Sequence, residues 1–170
     1  MHRAESEGHD VSDDDDDLVA IRANAQMVIE QLGPRSGVEA FGFDAASVAW
    51  IDGFIERQRV RTDVDAEFVP RLTTVIGSYL GEAVIRTYGG KWVVSADGWC
   101  VEFSEGNACF PFTKVAKQFA NGATDSVYSL FTVIPRVLLR TDPPEQQATG
   151  ARPRDGWWAR VVQWLGRRTR

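Results

Sequence analysis

Histidine is almost missing from this sequence: its two copies, His2 and His9, fall within the first ten residues. That removes from any folded part the commonest general base, the Ser-His and Cys-His nucleophile pairs and most zinc sites. Cysteine is nearly as scarce. Cys100 and Cys109 are too few for a structural zinc site or for the disulfide framework of a small secreted domain. No apolar run reaches the roughly 18 residues needed to cross a bilayer, and the N-terminus is acidic where a secretory leader would be basic and then apolar. Neither a P-loop nor a GxGxxG occurs. The sequence therefore reads as a cytoplasmic chain with no cofactor, no metal and no recognisable catalytic constellation.

What is present is uneven charge. Residues 1–17 hold eight acids against Arg3, and residues 152–170 hold six arginines against Asp155. The remainder carries 12 basic and 15 acidic residues. Such a balanced centre is a poor nucleic-acid binder, so no nucleic-acid partner is expected. With 170 residues, 44% of them hydrophobic, the chain is long enough for one domain with a real core and tails. The reading is a disordered acidic tail over 1–17, a domain over 18–140, a linker over 141–156 and a basic amphipathic helix over 157–170.

The core is predicted to centre on Leu72 to Phe112. Leu72, Val75, Ile76, Tyr79, Leu80, Ala83 and Val84 recur at three and four residue steps, one face of a helix. Gly77 and Gly81 sit one turn apart on it, each costing about 1 kcal/mol of helix propensity, which points to close packing by another element. Beyond Gly89-Gly90 the period becomes two. With hairpin turns at Asp97-Gly98 and Glu105-Gly106, Trp92 would pair with Phe103, Val94 with Val101, Val101 with Phe110 and Trp99 with Phe112. One face would then carry Trp92, Val94, Trp99, Val101, Phe103, Ala108, Phe110 and Phe112, with Pro111 on an edge and Cys100 and Cys109 sharing the other face as free thiols. Before this core, Asp17 would cap a helix stopped by Gly33-Pro34, and Asp44 a second helix. After it, Thr113 would cap a helix ended by Asn121-Gly122, and Asp125 another stopped by Pro135. The fold class is α+β: a small antiparallel meander of about three strands with helices on one face.

Polar groups gather around the end of the central helix and the helix after the sheet. Glu82, Arg86, Tyr88, Lys114, Lys117 and Asn121 are the candidate ligand or partner-binding residues. Each has an ordinary alternative: an i,i+4 pair for Glu82 and Arg86, a solvated helix face for Lys114 and Lys117. Asp52, Glu56, Arg57, Arg59 and Arg61 read as solvated charge on the second helix, and the carboxylate pairs Asp52/Glu56 and Glu82/Glu102 have no spacing that favours catalysis. At the C-terminus, Trp157, Trp158, Val161, Val162, Trp164 and Leu165 fill one side of a helical wheel, with Arg160 and Arg167 on the other. Such a segment can fold back on its own domain, dock into a partner or lie on an anionic membrane surface.

The pattern Gly77-x-x-x-Gly81-Glu82, Tyr88-Gly89-Gly90-x-Trp92, Phe110-Pro111-Phe112-x-Lys114-Val115 and Gln118-x-x-x-Gly122 resembles a group of small uncharacterised bacterial proteins and, more distantly, is similar to the bacterial family called domain of unknown function 3806. The resemblance spans about residues 40–135. It implies a bacterial source and an α+β fold, and brings no catalytic residues. The expected function is a non-enzymatic protein-binding domain, adaptor or immunity-like, acting on another protein. The alternatives are a peripheral membrane protein anchored by residues 157–170, or a small-molecule-binding domain using Glu82, Arg86 or Lys114.

Overall fold

The computed structural model describes residues 11–138. The fold is α+β: helices α1 (Val11–Ser36), α2 (Ala45–Arg59) and α3 (Phe68–Tyr88), strands β1 (Lys91–Ser95), β2 (Gly98–Ser104) and β3 (Asn107–Cys109), then α4 (Pro111–Asn121), a 3₁₀ turn over Gly122–Asp125, and α5 (Val127–Val137). The strands form an antiparallel meander in the order β1-β2-β3. No helix among the described residues is long and apolar enough to cross a membrane.

The middle of the central helix α3 is enclosed on all sides. Every residue from Ile76 to Val84 is buried, because α1 packs on one flank, α4 on another, and α2, α5 and β2 complete the shell. Ile21, Ala25 and Val28 come from α1, Val48, Ile51 and Ile55 from α2, Val115 and Phe119 from α4, and Phe131 and Ile134 from α5. Burying each such Ile or Phe contributes about 1.5–3 kcal/mol. The two glycines explain how neighbours come so near: a Cβ on Gly77 would run into the Phe112 ring, and one on Gly81 into the Trp92 indole.

Several local expectations change. Helix α1 begins at Val11 rather than after Asp17, so the aspartate run that reads as part of a tail lies in its first turns, with Asp13 and Asp14 in the first. Negative charge there is favoured by the helix dipole, which a simple count of like charges overlooks. Gly33-Pro34 does not stop it: the helix runs to Ser36, whose hydroxyl donates to the Gly33 carbonyl at 2.8 Å and accepts from Val38 N–H at 3.0 Å. Asp44 caps α2 as expected, accepting from Ser47 N–H at 2.9 Å.

In the sheet, Trp92 pairs with Val101 and Val94 with Trp99. The register moves by two, an even step, so Trp92 and Val101 keep the inward face, but Val94, expected beside them, is exposed at the strand's end, and Cys100 on the opposite face is buried. The second hairpin departs more. A bulge between Glu102 and Ser104 sets Cys109 opposite Val101, turning Cys109 to the core face while Cys100, opposite Val93, lies on the other. Both thiols are free and buried. Phe110, Pro111 and Phe112 are not strand: Pro111 opens α4, where its fixed φ and missing N–H are no cost, so Thr113 is not the cap. Ser126, not Asp125, caps α5 by accepting from Ser129 N–H at 3.0 Å, and Pro135 lies inside that helix.

Candidate functional site

The six candidate residues form two separate groups. In the first, the buried Glu82 carboxylate accepts from Trp92 Nε1 at 3.0 Å, and its other oxygen lies 3.6 Å from Arg86 Nε. The Arg86 guanidinium sits 3.8 Å over the Phe43 ring. Glu82 thus joins the central helix to the first strand rather than facing solvent. Tyr88 turns away to pack on Phe131 at 5.0 Å between ring centroids, and burial, with Tyr128 nearby, raises its hydroxyl pKa.

The second group joins α2, α4 and α5. Asp125 grips two residues of α4: Lys114 Nζ at 3.2 Å and Asn121 Nδ2 at 2.7 Å. Burial pushes the Lys114 pKa down, opposed by its bond to Asp125. Partial burial also works against the Asp125 carboxylate, but the hydrogen bonds from Asn121 and Lys114 outweigh it and leave its pKa below the ordinary value. Lys117 acts on both as a neighbouring charge.

Around this pair stand residues whose roles sequence reading did not identify. Gln118 is fully buried; its Nε2 donates to Glu56 Oε1 at 3.0 Å and to the Asp52 carbonyl at 3.3 Å, while its Oε1 accepts from Val127 N–H at 2.9 Å. Asp52 Oδ1 accepts from Ser126 Oγ at 2.6 Å and from Tyr128 N–H at 3.1 Å. Arg59 donates to the carbonyls of Phe119 and Ala120 at 3.3 and 3.4 Å, closing the end of α4 beside Gly122, whose φ of 67° suits glycine. Asp52, Glu56 and Arg59, read as solvated charge, are therefore interhelical contacts. Besides the local Glu56–Arg59 pair at 3.7 Å, their partners lie 60 or more residues away in sequence, beyond the reach of helical spacing. Chemically this group is a latch: Asp52, Glu56, Arg59, Lys114, Gln118, Asn121 and Asp125 each hold an internal partner.

A third region is open. A cleft of about 410 Å³ lies between α1, the first half of α3, the β1–β2 turn and the start of α4, lined among others by Asp17, Asn24, Thr73, Asp97, Trp99 and Phe112. Trp99 Nε1 donates to Asp17 Oδ2 at 3.3 Å, linking β2 to α1 across it. The Trp99 ring meets Trp92 edge-on at 6.4 Å, and Trp92 meets Phe112 at 5.7 Å. Two carboxylates and no basic residue line it. None of the six candidates is among them. The clue available was Trp99 beside the Asp97-Gly98 turn, but its proximity to Asp17 depends on how α1 packs.

Trp157, Trp158, Arg160, Trp164 and Arg167 lie outside the described residues. Among the described residues no three His, Cys, Asp or Glu side chains gather as a metal site. Compared with family models, curated proteins and solved structures, the chain matches none.

Proposed function

We propose that this chain is a non-enzymatic protein-binding domain, adaptor or immunity-like in kind, and that the Asp17–Trp99–Phe112 cleft is its docking surface. The carrying observation is a contrast in how side chains are engaged. Glu82, Lys114, Gln118 and Asp52 are buried or part-buried and tied to other elements of the fold, whereas the cleft, beyond its Asp17–Trp99 bond, turns the exposed Asp17 and Asp97 carboxylates and the half-buried Trp99 and Phe112 rings toward an incoming chain. A basic segment with an aromatic or arginine anchor fits that chemistry, since a guanidinium gains both from a carboxylate and from the face of an indole.

The test is site-specific photo-cross-linking in lysate of the source organism, with p-benzoylphenylalanine replacing Asn24 in the cleft or Glu39 outside it. A discrete heteromeric adduct from position 24, absent from position 39 and weakened by Asp97→Arg, is the expected result. Adducts of equal yield from both positions, or none from the cleft, refute the docking surface.

A further inference from the structure

We infer that the cleft's occupant in the isolated chain is the chain's own basic segment, residues 157–170, so that a partner must displace it; this rests on reading the cleft as a docking surface. Charge complementarity is the first argument. The lining carries Asp17 and Asp97 without a base, and the exposed Asp13, Asp15 and Asp16 extend the acidic field along the start of α1. Residues 152–170 hold six arginines against one acid.

The second argument is shape and chemistry. Trp157, Trp158 and Trp164 supply aromatic anchors, and a cleft of about 410 Å³ is of the size that receives an anchor side chain rather than a whole helix. Trp99 and Phe112 offer a wall suited to one indole, and the Asp17 and Asp97 carboxylates suit arginines.

The tether is the third argument. The described chain ends at Leu138, and 18 residues separate it from Trp157. Eighteen residues reach at most about 60 Å when extended, against a radius of gyration of about 14 Å for a domain of this size. Every face of the domain is within reach. Tethering makes the contact intramolecular and so raises its effective concentration, which favours it over weak competitors.

The experiment uses the purified full chain with the photo-cross-linker at position 24. The expected product has monomer mass, with mass spectrometry joining position 24 to a peptide within 157–170. Arg160→Glu with Arg167→Glu, or Asp97→Arg, should lower its yield about fivefold while circular dichroism stays unchanged. An adduct only at dimer mass, one mapping outside 157–170, or none overturns the proposal. Absence of the internal adduct together with co-sedimentation on phosphatidylglycerol vesicles assigns the segment to a membrane instead. In lysate, Trp157→Ala/Trp158→Ala/Trp164→Ala should increase the heteromeric adduct. If that adduct forms while the purified chain shows no internal one, self-occupancy fails and the docking surface stands. If the internal adduct forms but no heteromeric one appears even from the triple variant, the docking function fails and self-occupancy stands.

Discussion

Replacing Gly81 by alanine should destabilise the protein, although alanine is the better helix former. The gain in propensity is about 1 kcal/mol. Against it, the new Cβ overlaps the Trp92 indole and comes within 3.2 Å of Pro111 Cγ, and overpacking of this kind costs about 1–3 kcal/mol. Trp92 has no easy retreat: its Nε1 is bonded to the buried Glu82 at 3.0 Å, and its ring is flanked by Phe112 and Trp99. Breaking a buried hydrogen bond to a carboxylate adds about 1.5–3 kcal/mol. The net loss should be about 2–4 kcal/mol, which lowers the melting temperature by roughly 6–12 °C in a chain of this length. Urea and thermal unfolding followed by circular dichroism measure it. The control is the Trp92→Phe background, which lacks the indole atoms that collide. There Gly81→Ala should cost less than about 1 kcal/mol, giving a coupling of about 2 kcal/mol in the double-mutant cycle. Equal costs in both backgrounds, or a gain in stability from Gly81→Ala, would refute the reasoning.

Gln118→Met keeps the side chain's length but leaves Val127 N–H without its acceptor and removes the donors to Glu56 and Asp52; the urea midpoint should fall by the equivalent of about 2–3 kcal/mol, and an unchanged midpoint would remove Gln118 from the latch. The Asp125 pKa is lowered in the folded state, so its contribution is present above the unfolded value near 4 and is lost as pH falls through the folded one. Asp125→Asn should therefore weaken the protein at pH 7, by about 1–3 kcal/mol, with the gap from wild type closing below about pH 4; a gap that does not change with pH contradicts this. Burial pushes the Cys109 thiol up to about 12, so iodoacetamide at pH 8 should label it more than about a hundredfold more slowly in the native protein than in urea. Mass spectrometry of the labelled peptide reads this directly, and equal rates would show that the site is open.

The α+β class and most elements were legible because apolar periodicity marks elements: the 3.6-residue rhythm of α3 marks its buried face, while the alternation of β1 and β2 marks the strands but misplaces Val94, which is exposed, and Cys100, which is buried. Capping was legible where the cap is local, as at Asp44. The start of α1 was not, because five aspartates read as solvated charge until their place at a helix N-terminus is known. The β3 register failed at a bulge, which a two-residue period cannot anticipate, and that failure carried Phe110, Pro111 and Phe112 from an imagined strand into the start of α4. Of the candidate residues, Glu82 and Arg86 do pair, and Lys114 and Asn121 converge on Asp125. Their separation into two groups, and the position of the cleft away from both, came only with the fold.

The sequence by itself determined which faces carry apolar residues at helix and strand spacing and which residue types are scarce, since both follow from residue types and their order along the chain. It also determined that Gly77 and Gly81 invite close neighbours. Only the tertiary structure decided that those neighbours are Phe112 and Trp92, that Asp52, Glu56 and Gln118 link three helices instead of facing water, and that Asp17 and Trp99 meet across an acidic, aromatic cleft. The physical reason is range. Helix and strand periodicities act over a few residues, whereas these contacts join groups from 9 to 82 positions apart, and such pairs are set by how the elements pack.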